Sequence, residues 1–346
     1  MSTRQEKFSG TTEVAERHRF DTAALERHLA EHVEGFEGPL TVRAFKGGQS
    51  NPTYQLQTPN RRYVLRRKPP GKLLPSAHAV DREYRVMTAV RSAGFPVPQT
   101  RLLCTDDSVI GTWFYVMDHV EGRIFWENTL PGLEPEQRRE IYDAMNSVLA
   151  QLHQIDYGAI GLTDFGKPGN YFARQIHRWT QQYRLSEGER IEAMERLIEW
   201  LPAHIPPGDE SSIVHGDYKL DNMIFHPTEP RVIAVLDWEL STIGHPMGDL
   251  SYHCMPWRTA FKDLDLPGFG IPTLDEYVAT YCRRTGRERI EHWNFYLAYN
   301  LFRGAGIAQG IAGRVRDGTA ASAWATEVSS SVRPTAEAAW AVAQET

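Results

Sequence analysis

Two kinds of sequence pattern divide this 346-residue chain, and their order restricts the folds open to it. Short runs with strand character crowd into the first 120 residues, and one helical pattern interrupts them after the third run. The strand runs cover 40–46, 53–57, 62–67, 101–104 and 112–120, and the helical pattern covers 77–93. The order predicts a small β-meander that carries one helix.

The remainder of the chain is dominated by helical periodicity. The helical patterns cover 135–155, 171–183, 189–201, 274–284, 290–311 and 319–343. The exception is a pair of short apolar runs, 222–225 and 231–236, that flank the turn His226–Pro227 and predict a hairpin. The fold class is therefore α+β, with a small antiparallel sheet first and a large helical region second.

Composition narrows the classes of partner and the cell compartment. The net charge of −6 argues against nucleic acid as a partner, because phosphate backbones favour a broad basic face. Cys104, Cys254 and Cys282 lie too far apart for a CxxC pair, so we expect neither a disulfide framework nor a cysteine zinc site. A polar start and the lack of any long apolar run predict a cytoplasmic protein without a membrane partner. The sequence leaves the oligomeric state open.

The segment IVHGDYKLDN, residues 213–222, carries the most chemical information. Asn222 follows Asp217 by five residues, and Asp237 closes the second hairpin run. Phosphoryl transfer needs a carboxylate for the acceptor proton, oxygen ligands for magnesium on the phosphates, and cations to offset the developing charge. Asp217 suits the first role, and Asn222 and Asp237 are hard oxygen donors that suit Mg²⁺. Lys219 could reach the γ-phosphate of ATP.

His215-Gly216-Asp217 resembles the catalytic loop of kinases, in which protein kinases have His-Arg-Asp. The glycine is typical of the aminoglycoside phosphotransferase family, which also contains choline kinase and other small-molecule kinases, and the similarity covers roughly 45–252. The resemblance implies a bilobal protein-kinase-like fold. Its nucleotide-binding lobe would be 1–120, with a flexible arm at 1–20. Its helical lobe would be 121–346, with the catalytic loop 213–222 and the metal ligand Asp237.

Three stretches resemble one branch of this family: YVLRRKPPG at 63–71, FPVP at 95–98 and HGDYKLDN at 215–222. Members of that branch occur fused to acyl-CoA dehydrogenase domains and are often labelled as that enzyme. We see no flavin-enzyme pattern in this sequence, so the label would describe the fusion neighbour. The resemblance makes an acyl-CoA dehydrogenase a candidate partner.

The loop between the first two strands is the candidate phosphate-covering loop. Gly47, Gly48, Ser50 and Asn51 allow a tight turn with free backbone N–H groups, and such a concave nest can cover phosphates. A plain hairpin turn is the alternative.

On the third strand, the family's ATP-binding lysine aligns with Arg66, which alternation places on the same face as Val64. Arginine can contact phosphates, but its reach and geometry differ from those of lysine. Arg67 and Lys68 remain alternatives. The resemblance implies Glu83 as the helix partner of Arg66, with a salt bridge within the helix as the alternative.

The segment 112–122 resembles the last sheet strand running into the hinge between the lobes. Adenine would then bond to backbone groups near Asp118 and Val120, with Met117 bordering the pocket or packing in the core. Asp249 matches a family aspartate that supports the catalytic loop, although it could also act as a helix cap.

Charge in the late helices bears on the acceptor. Residues 281–320 contain seven arginines against three acids, a net charge of +4 in an acidic chain. This reversal favours an anionic acceptor, such as a hydroxy acid or a hydroxyacyl-CoA. A solvated helix face is the alternative explanation, and an aminoglycoside or amino alcohol is the alternative substrate.

The sequence thus predicts an enzyme that moves the γ-phosphate of ATP, with Mg²⁺, to a hydroxyl of a small metabolite. A pseudokinase that binds nucleotide or metabolite without turnover is the main alternative, because arginine replaces lysine at Arg66. A non-haem iron site built on His215 and Asp217 is a third interpretation, which the helical remainder of the chain disfavours.

Overall fold

The computed structural model describes residues 5, 8–46, 51–69, 78–317 and 325–345. Contacts between residues divide the chain into two compact units. We call the first the sheet unit; it comprises Met1–Leu133, Gly158–Leu162 and Lys219–Ser241. The second, the helical unit, comprises Glu134–Tyr157, Thr163–Tyr218 and Thr242–Thr346. The lobe boundary expected at residue 120 stays a prediction.

The sheet unit contains a six-stranded antiparallel sheet in the order β1-β2-β3-β4-β6-β5. Its strands are β1 Thr11–Thr12, β2 Thr41–Phe45, β3 Thr53–Gln57, β4 Arg62–Arg67, β5 Thr100–Cys104 and β6 Phe114–Asp118. Its helices are α1 Thr22–His32, α2 Val80–Ser92 and α3 Asp107–Ile110. The five strands and the helix after the third that the sequence predicts are all present.

Side chains alternate along β4 between the two faces of the sheet. One face packs in an apolar core, and the other lines a cavity. Tyr63 and Leu65 join an apolar core that also contains Leu25 and Leu29 of α1. Residues at the intervening positions of β4 line a cavity on the opposite face. Asp21 caps α1, because its side chain accepts a hydrogen bond from the Ala24 amide.

The predicted hairpin is β8 Met223–Phe225 and β9 Val232–Val235, and it belongs to the sheet unit. Two backbone hydrogen bonds of 2.8 Å join Arg123 and Phe225, and the Val235 amide donates to the Pro96 carbonyl at 2.8 Å. These bonds hold both hairpin strands against the chain that surrounds β6, although the hairpin lies about 100 residues further along the sequence.

The helical unit is built from long helices and one short strand pair. Its helices are α4 Pro135–Gln154, α5 Tyr171–Ser186, α6 Glu192–Ala203, α7 Met247–His253, α8 Leu266–Phe269, α9 Leu274–Thr285, α10 Trp293–Arg316, α11 Ala325–Ser330 and α12 Val332–Gln344. Strands β7 Ser212–Val214 and β10 Thr242–Gly244 pair antiparallel. Helix α10 is largely buried and packs against α5, α7 and α12.

Several short elements were not predicted from the sequence, namely β1, α3, α7, α8 and the β7–β10 pair. They are too short to show a period, and β7 and β10 pair only because the chain returns after 27 intervening residues. The predicted helix over 319–343 corresponds in its described part to α11 and α12, and 319–324 lie outside the described residues. None of the described helices combines the length and apolar composition needed to cross a bilayer.

Gly122 permits the close approach of the hairpin. A Cβ atom at this position would lie 2.3 Å from the Phe225 carbonyl oxygen and 2.5 Å from Cγ2 of Ile224. We expect Gly122→Ala to lower the free energy of unfolding by about 1–3 kcal/mol, the usual cost of overpacking.

The matched control is Gly310→Ala in α10, where the nearest atom to an added Cβ lies 4.0 Å away. This change should be neutral or stabilising by about 0.5–1 kcal/mol, because alanine favours a helix over glycine. Urea unfolding curves of the two variants check the prediction, and equal stability would contradict it.

Candidate active site

A cavity of about 920 Å³ lies within the sheet unit, and most of the nucleotide and metal residues predicted from the sequence line it. The predicted residues on its wall are Arg66, Met117, Asp118, Val120, Asn222 and Asp237. They come from β4, from β6 and the chain after it, and from the hairpin. Among these predicted residues, Arg66 and Asp237 are 171 positions apart in the sequence.

The Arg66 guanidinium is the centre of a buried charge network in this cavity. Its Nε lies 2.8 Å from Oε2 of Glu83, and its Nη2 forms a short contact with Oδ1 of Asp237. Nη2 also lies 3.4 Å from Oε2 of Glu239. The partner that the family resemblance implies, Glu83 of α2, is therefore the one Arg66 contacts, and two further carboxylates share the same cation.

Glu83 is almost completely buried, with 1% of its surface exposed. Burial raises the pKa of its carboxyl to about 7; Arg66 opposes this shift, and the negative charges of Asp237 and Glu239 add to it. Tyr115 donates a hydrogen bond to Glu83 at 3.2 Å, and Nδ2 of Asn51 donates another at 2.8 Å. Glu83 is thus a buried partner of Arg66 rather than half of a surface salt bridge.

Asn51, predicted to be a phosphate-loop residue, is fully buried. Besides Glu83, its Nδ2 lies 3.3 Å from Glu239, and its Oδ1 lies 2.9 Å from Nδ1 of His78. Its side chain therefore links two carboxylates of the Arg66 network. Gly47, Gly48 and Ser50, the other predicted residues of this loop, lie outside the described residues.

The basic neighbours of Arg66 contact other groups. Arg67 donates to the His18 carbonyl at 3.0 Å and lies over the Phe20 ring. The ammonium of Lys68 lies 3.9 Å from the centroid of the Trp113 ring and 3.9 Å from Asp81. Of the three candidates, Arg66 is the one on the cavity wall.

Asn222 comes just before the first strand of the hairpin and Asp237 comes just after the second. Both residues line the cavity. Asp237 follows β9 in the left-handed conformation, with φ of 66° and ψ of 61°, which a non-glycine residue adopts at an energetic cost. The Asn222 carbonyl accepts a hydrogen bond from the Leu236 amide at 2.8 Å, which ties the two segments together.

The oxygen atoms present fit a magnesium ion bound mainly by phosphates and water. In the described part of the chain, no cluster of three or more His, Cys, Asp or Glu side chains could hold a metal ion. One carboxylate and one amide oxygen on the wall of a cavity of nucleotide size are the sparse protein ligands that Mg²⁺ commonly uses beside phosphates.

The residues predicted to form the hinge lie at the end of β6 and in the chain after it. Met117 is opposite Val64 in the β4–β6 register, and both line the cavity. The carboxylate of Asp118 forms a two-point ion pair with Arg101 at 2.7 and 2.6 Å, and its amide donates to the Gln99 carbonyl. The side chain and the amide of Asp118 are therefore both bonded to other residues of the sheet unit.

Lys219, predicted as a catalytic cation, lies in the sheet unit with its ammonium 3.7 Å from Asp221. Asp221 also lines the cavity. The carboxylate next to Asn222 thus faces the same space as the predicted metal ligands.

In the helical unit, the loop with Asp217 is supported by a fully buried carboxylate. Oδ2 and Oδ1 of Asp249 accept hydrogen bonds from the amides of His215 and Gly216 at 2.6 and 2.8 Å. Burial alone would raise the pKa of Asp249, but the hydrogen bond from His153 and the Gly216 amide hold it below its usual value. Gly216 has φ of +85°, which allows the turn. The predicted supporting role of Asp249 is confirmed in its geometry.

Two residues that contact the predicted catalytic loop were not identified from the sequence. The Tyr252 hydroxyl donates to Oδ1 of Asp217 at 2.5 Å, and Nη2 of Arg303 donates to the Gly216 carbonyl at 2.5 Å. The position of Tyr252, one helical turn after Asp249, is a signal that could have pointed to it, because residues three apart share a helix face. Arg303 was counted only as one of the late arginines.

The cavity also has a wall that the sequence did not predict, from the N-terminal arm. Phe8 stacks on Trp126 with ring centroids 5.1 Å apart, and the Gln5 side chain donates to the Ile124 carbonyl at 2.9 Å. Both arm residues line the cavity. No local pattern in the first ten residues signals this, because the contacts depend on β1 pairing with β2.

The late arginines are largely paired with protein groups. Arg287 forms a two-point pair with Glu210, Arg284 pairs with Asp143, and Arg289 pairs with Glu291. Arg303 is buried with 5% of its surface exposed. The net positive charge counted in the sequence is therefore partly neutralised by Glu210 and Asp143, which lie in other segments.

Comparison with known proteins agrees with this arrangement. The sequence model of the phosphotransferase enzyme family matches residues 41–293. The human protein named acyl-CoA dehydrogenase family member 11 is 45% identical over 341 residues, which are 95% of this chain and 44% of that protein. Mouse family member 10 is covered over 29% of its length, so the chain spans less than half of these curated relatives.

Solved structures give the same family. A Ralstonia eutropha protein, provisionally described as an aminoglycoside phosphotransferase, is 56% identical, with a TM-score of 0.87 and coverage of 94% of this chain and 99% of that one. A mutant of aminoglycoside phosphotransferase APH(4)-Ia, in a ternary complex with AMP-PNP and hygromycin B, has 14% identity. Its TM-score is 0.63, with coverage of 93% of this chain and 100% of that one, and this likeness shows the fold alone. The chain has the kinase-like phosphotransferase fold and belongs to the phosphotransferase enzyme family.

Proposed function

We propose that this protein transfers the γ-phosphate of ATP, with Mg²⁺, to a hydroxyl group of a small anionic metabolite. The observation that carries the proposal is the cavity of the sheet unit, which places the cation of Arg66 and the oxygens of Asn222 and Asp237 on one wall. A cation and hard oxygen donors are what binding of a magnesium nucleotide requires. The ATP analogue in the complex of the APH(4)-Ia neighbour supports ATP as the donor.

In the proposed site, Arg66 binds the phosphates and Glu83 orients it. Three carboxylates contact the guanidinium. Arg66 therefore keeps its buried partner Glu83 when Asp237 turns to a metal. Adenine lies towards Met117 and Val120, where the chain leaves β6. The proposed phosphate cover is Gly47, Gly48, Ser50 and Asn51, the last acting through Glu83 and Glu239.

Asn222 and Asp237 would hold magnesium, which supplies electrostatic stabilisation of the phosphates when bound. Arg66 contacts Asp237, so this carboxylate would exchange the guanidinium for the metal when a magnesium nucleotide binds.

Asp217 is the proposed acceptor of the proton from the substrate hydroxyl. As the new bond from the hydroxyl oxygen to phosphorus forms and the bond to ADP breaks, the hydroxyl proton passes to the carboxylate. The two amide donors to Asp249 fix the backbone of the preceding turn, so the main chain at Asp217 has a defined position. Lys219 is the proposed second cation for the transferred group, and its pairing with Asp221 would have to open.

For the acceptor we favour a hydroxyacyl-CoA or a free hydroxy acid. Support comes from the excess of arginine in the late helices and from the acyl-CoA dehydrogenase names of the longer relatives. The ion pairs of Arg284, Arg287 and Arg289 reduce the charge available to an anion. The acceptor class therefore needs a direct test, with an acyl-CoA dehydrogenase as the proposed source or consumer of the same acyl chain.

ATP should raise the thermal unfolding midpoint of the wild type more in the presence of Mg²⁺ than in EDTA. A ligand that binds only the folded state, at about 100 times its dissociation constant, adds roughly 2.7 kcal/mol. Asp237→Ala should abolish the magnesium-dependent part of this shift, whereas Asp107→Ala, on the exposed first turn of α3, should leave it unchanged. A normal magnesium-dependent shift in Asp237→Ala would remove this residue from the metal site, and no shift in the wild type would remove the nucleotide site.

Asp217→Asn should lower kcat by roughly 10²–10⁴, the usual loss for an acid–base group, while ATP still shifts the unfolding midpoint. The amide keeps the size of the carboxylate but cannot accept the proton at neutral pH. Asp263→Asn, in an exposed loop, is the matched control. Unchanged turnover in Asp217→Asn would refute its role, and nucleotide binding without turnover in the wild type would support the pseudokinase alternative.

A panel of acceptors tests the substrate class. We expect ADP formation from Mg–ATP to be fastest with hydroxyacyl-CoAs, slower with the corresponding free hydroxy acids, and at the background rate with choline or kanamycin. Coenzyme A without an acyl hydroxyl is the control for contaminating hydrolysis. Faster turnover with the cationic compounds would refute an anionic acceptor but not phosphoryl transfer itself.

A further inference from the structure

The side chain of Asp217 is contacted by a residue that none of the sequence motifs includes. Tyr252, on α7, donates its hydroxyl to Oδ1 of Asp217 at 2.5 Å. Hydrogen bonds to a carboxylate are charge-assisted and roughly twice as strong as neutral ones. Such a bond restricts rotation of the carboxylate about its χ angles, which is what a proton acceptor in a transfer reaction requires.

A buried cation lies behind the Tyr252 ring. The guanidinium carbon of Arg303, on α10, is 4.7 Å from the centroid of that ring and 5.4 Å from that of Trp179. Its Nη2 also donates to the Gly216 carbonyl, one residue before Asp217. Arg303 therefore contacts both the ring that binds the carboxylate and the backbone that carries it.

The charges around Arg303 explain why a cation is tolerated there. Burial disfavours the charged guanidinium, but the hydroxyls of Tyr299, Tyr252 and Tyr171 and the carboxylate of Asp217 outweigh it and raise the pKa of Arg303. With 5% of its surface exposed, the side chain has no role as a solvated helix face. Of the late arginines, it is the one that contacts the catalytic loop.

Asp249 and Arg303 bind the same turn through opposite backbone groups. Asp249 accepts from the amides of His215 and Gly216, and Arg303 donates to the Gly216 carbonyl. The amide bonds set the path of the backbone and do not involve the Asp217 side chain. Tyr252 adds a contact to the side chain itself.

We propose that Tyr252 and Arg303 are positioning residues that hold the Asp217 carboxylate in the orientation needed to receive the acceptor proton. The proposal rests on the proposed function, in which Asp217 is the proton acceptor. Tyr252 acts directly through its hydroxyl, and Arg303 acts through the Tyr252 ring, by a cation–π contact, and through the Gly216 carbonyl.

The test is a comparison of kcat, KM and unfolding midpoint for Tyr252→Phe. The rate is that of ADP formation from Mg–ATP with the fastest acceptor of the panel, or with water as acceptor. Loss of the hydroxyl should lower kcat roughly 10- to 100-fold, as expected for a misplaced reacting group, and leave the KM for ATP within about twofold. Tyr277→Phe is the matched control, because its buried hydroxyl pairs with His253. It should keep the wild-type kcat.

A double-mutant cycle separates positioning from a general structural role. In the Asp217→Asn background, Tyr252→Phe should change kcat by less than about twofold, because its effect passes through a carboxylate that is no longer present. Arg303→Lys, which keeps the charge, should retain more of kcat than Arg303→Met at similar unfolding midpoints. This second pair keeps the test valid if one variant folds poorly.

Different results would overturn the proposed function and the positioning role of Tyr252. Wild-type kcat in Asp217→Asn would overturn the proposed proton acceptor, whatever Tyr252→Phe does. If Asp217→Asn loses turnover but Tyr252→Phe behaves like Tyr277→Phe, or if the effect of Tyr252→Phe persists in full in the Asp217→Asn background, the positioning role is overturned and the proposed function stands.

Discussion

The sheet unit depends on one buried cation, the guanidinium of Arg66. Three carboxylates from two segments contact it: Glu83 on α2, and Asp237 and Glu239 just after β9. Removing one partner of a buried ion pair costs about 3–5 kcal/mol, because the other charge is left without compensation. The hairpin is therefore held to the sheet by charge as well as by its backbone bonds, and the same charges face the cavity that we propose binds the nucleotide.

This arrangement gives arginine an advantage where the family resemblance leads one to expect lysine. The planar guanidinium contacts Glu83 with Nε and the two further carboxylates with Nη2, whereas a lysine ammonium is a single point charge. A cation that can keep one carboxylate while releasing another suits the proposed site, in which Asp237 would exchange a guanidinium for a metal. The substitution therefore does not by itself indicate a pseudokinase.

The helical unit also contains buried charged groups, the carboxylate of Asp249 and the guanidinium of Arg303. The buried carboxylate of Asp249 accepts hydrogen bonds from two backbone amides of the turn before Asp217, while Arg303 donates one to a carbonyl of the same turn. Both are buried ionised groups whose cost is offset by several hydrogen bonds. We infer that the cost of burying these two groups is tolerated because the Asp217 side chain has to stay within a small range of positions.

The sequence by itself determined the order of elements and the identity of the proposed chemical residues. Periodicity shows the five strands, the inserted helix, the hairpin and the long helices, because each is a local pattern of burial along one face. The spacing of Asp217, Asn222 and Asp237 likewise depends on a continuous stretch of chain. Only the tertiary structure decided which basic residue near β4 lines the cavity. It also decided that Asn51 and Glu239 join the Arg66 network and that Arg303 is buried and not on the surface. It also decided that Tyr252 contacts Asp217 and that Phe8 lies on the cavity wall. These are contacts between segments distant in sequence, and their partners are chosen by packing and charge, for which no local pattern exists.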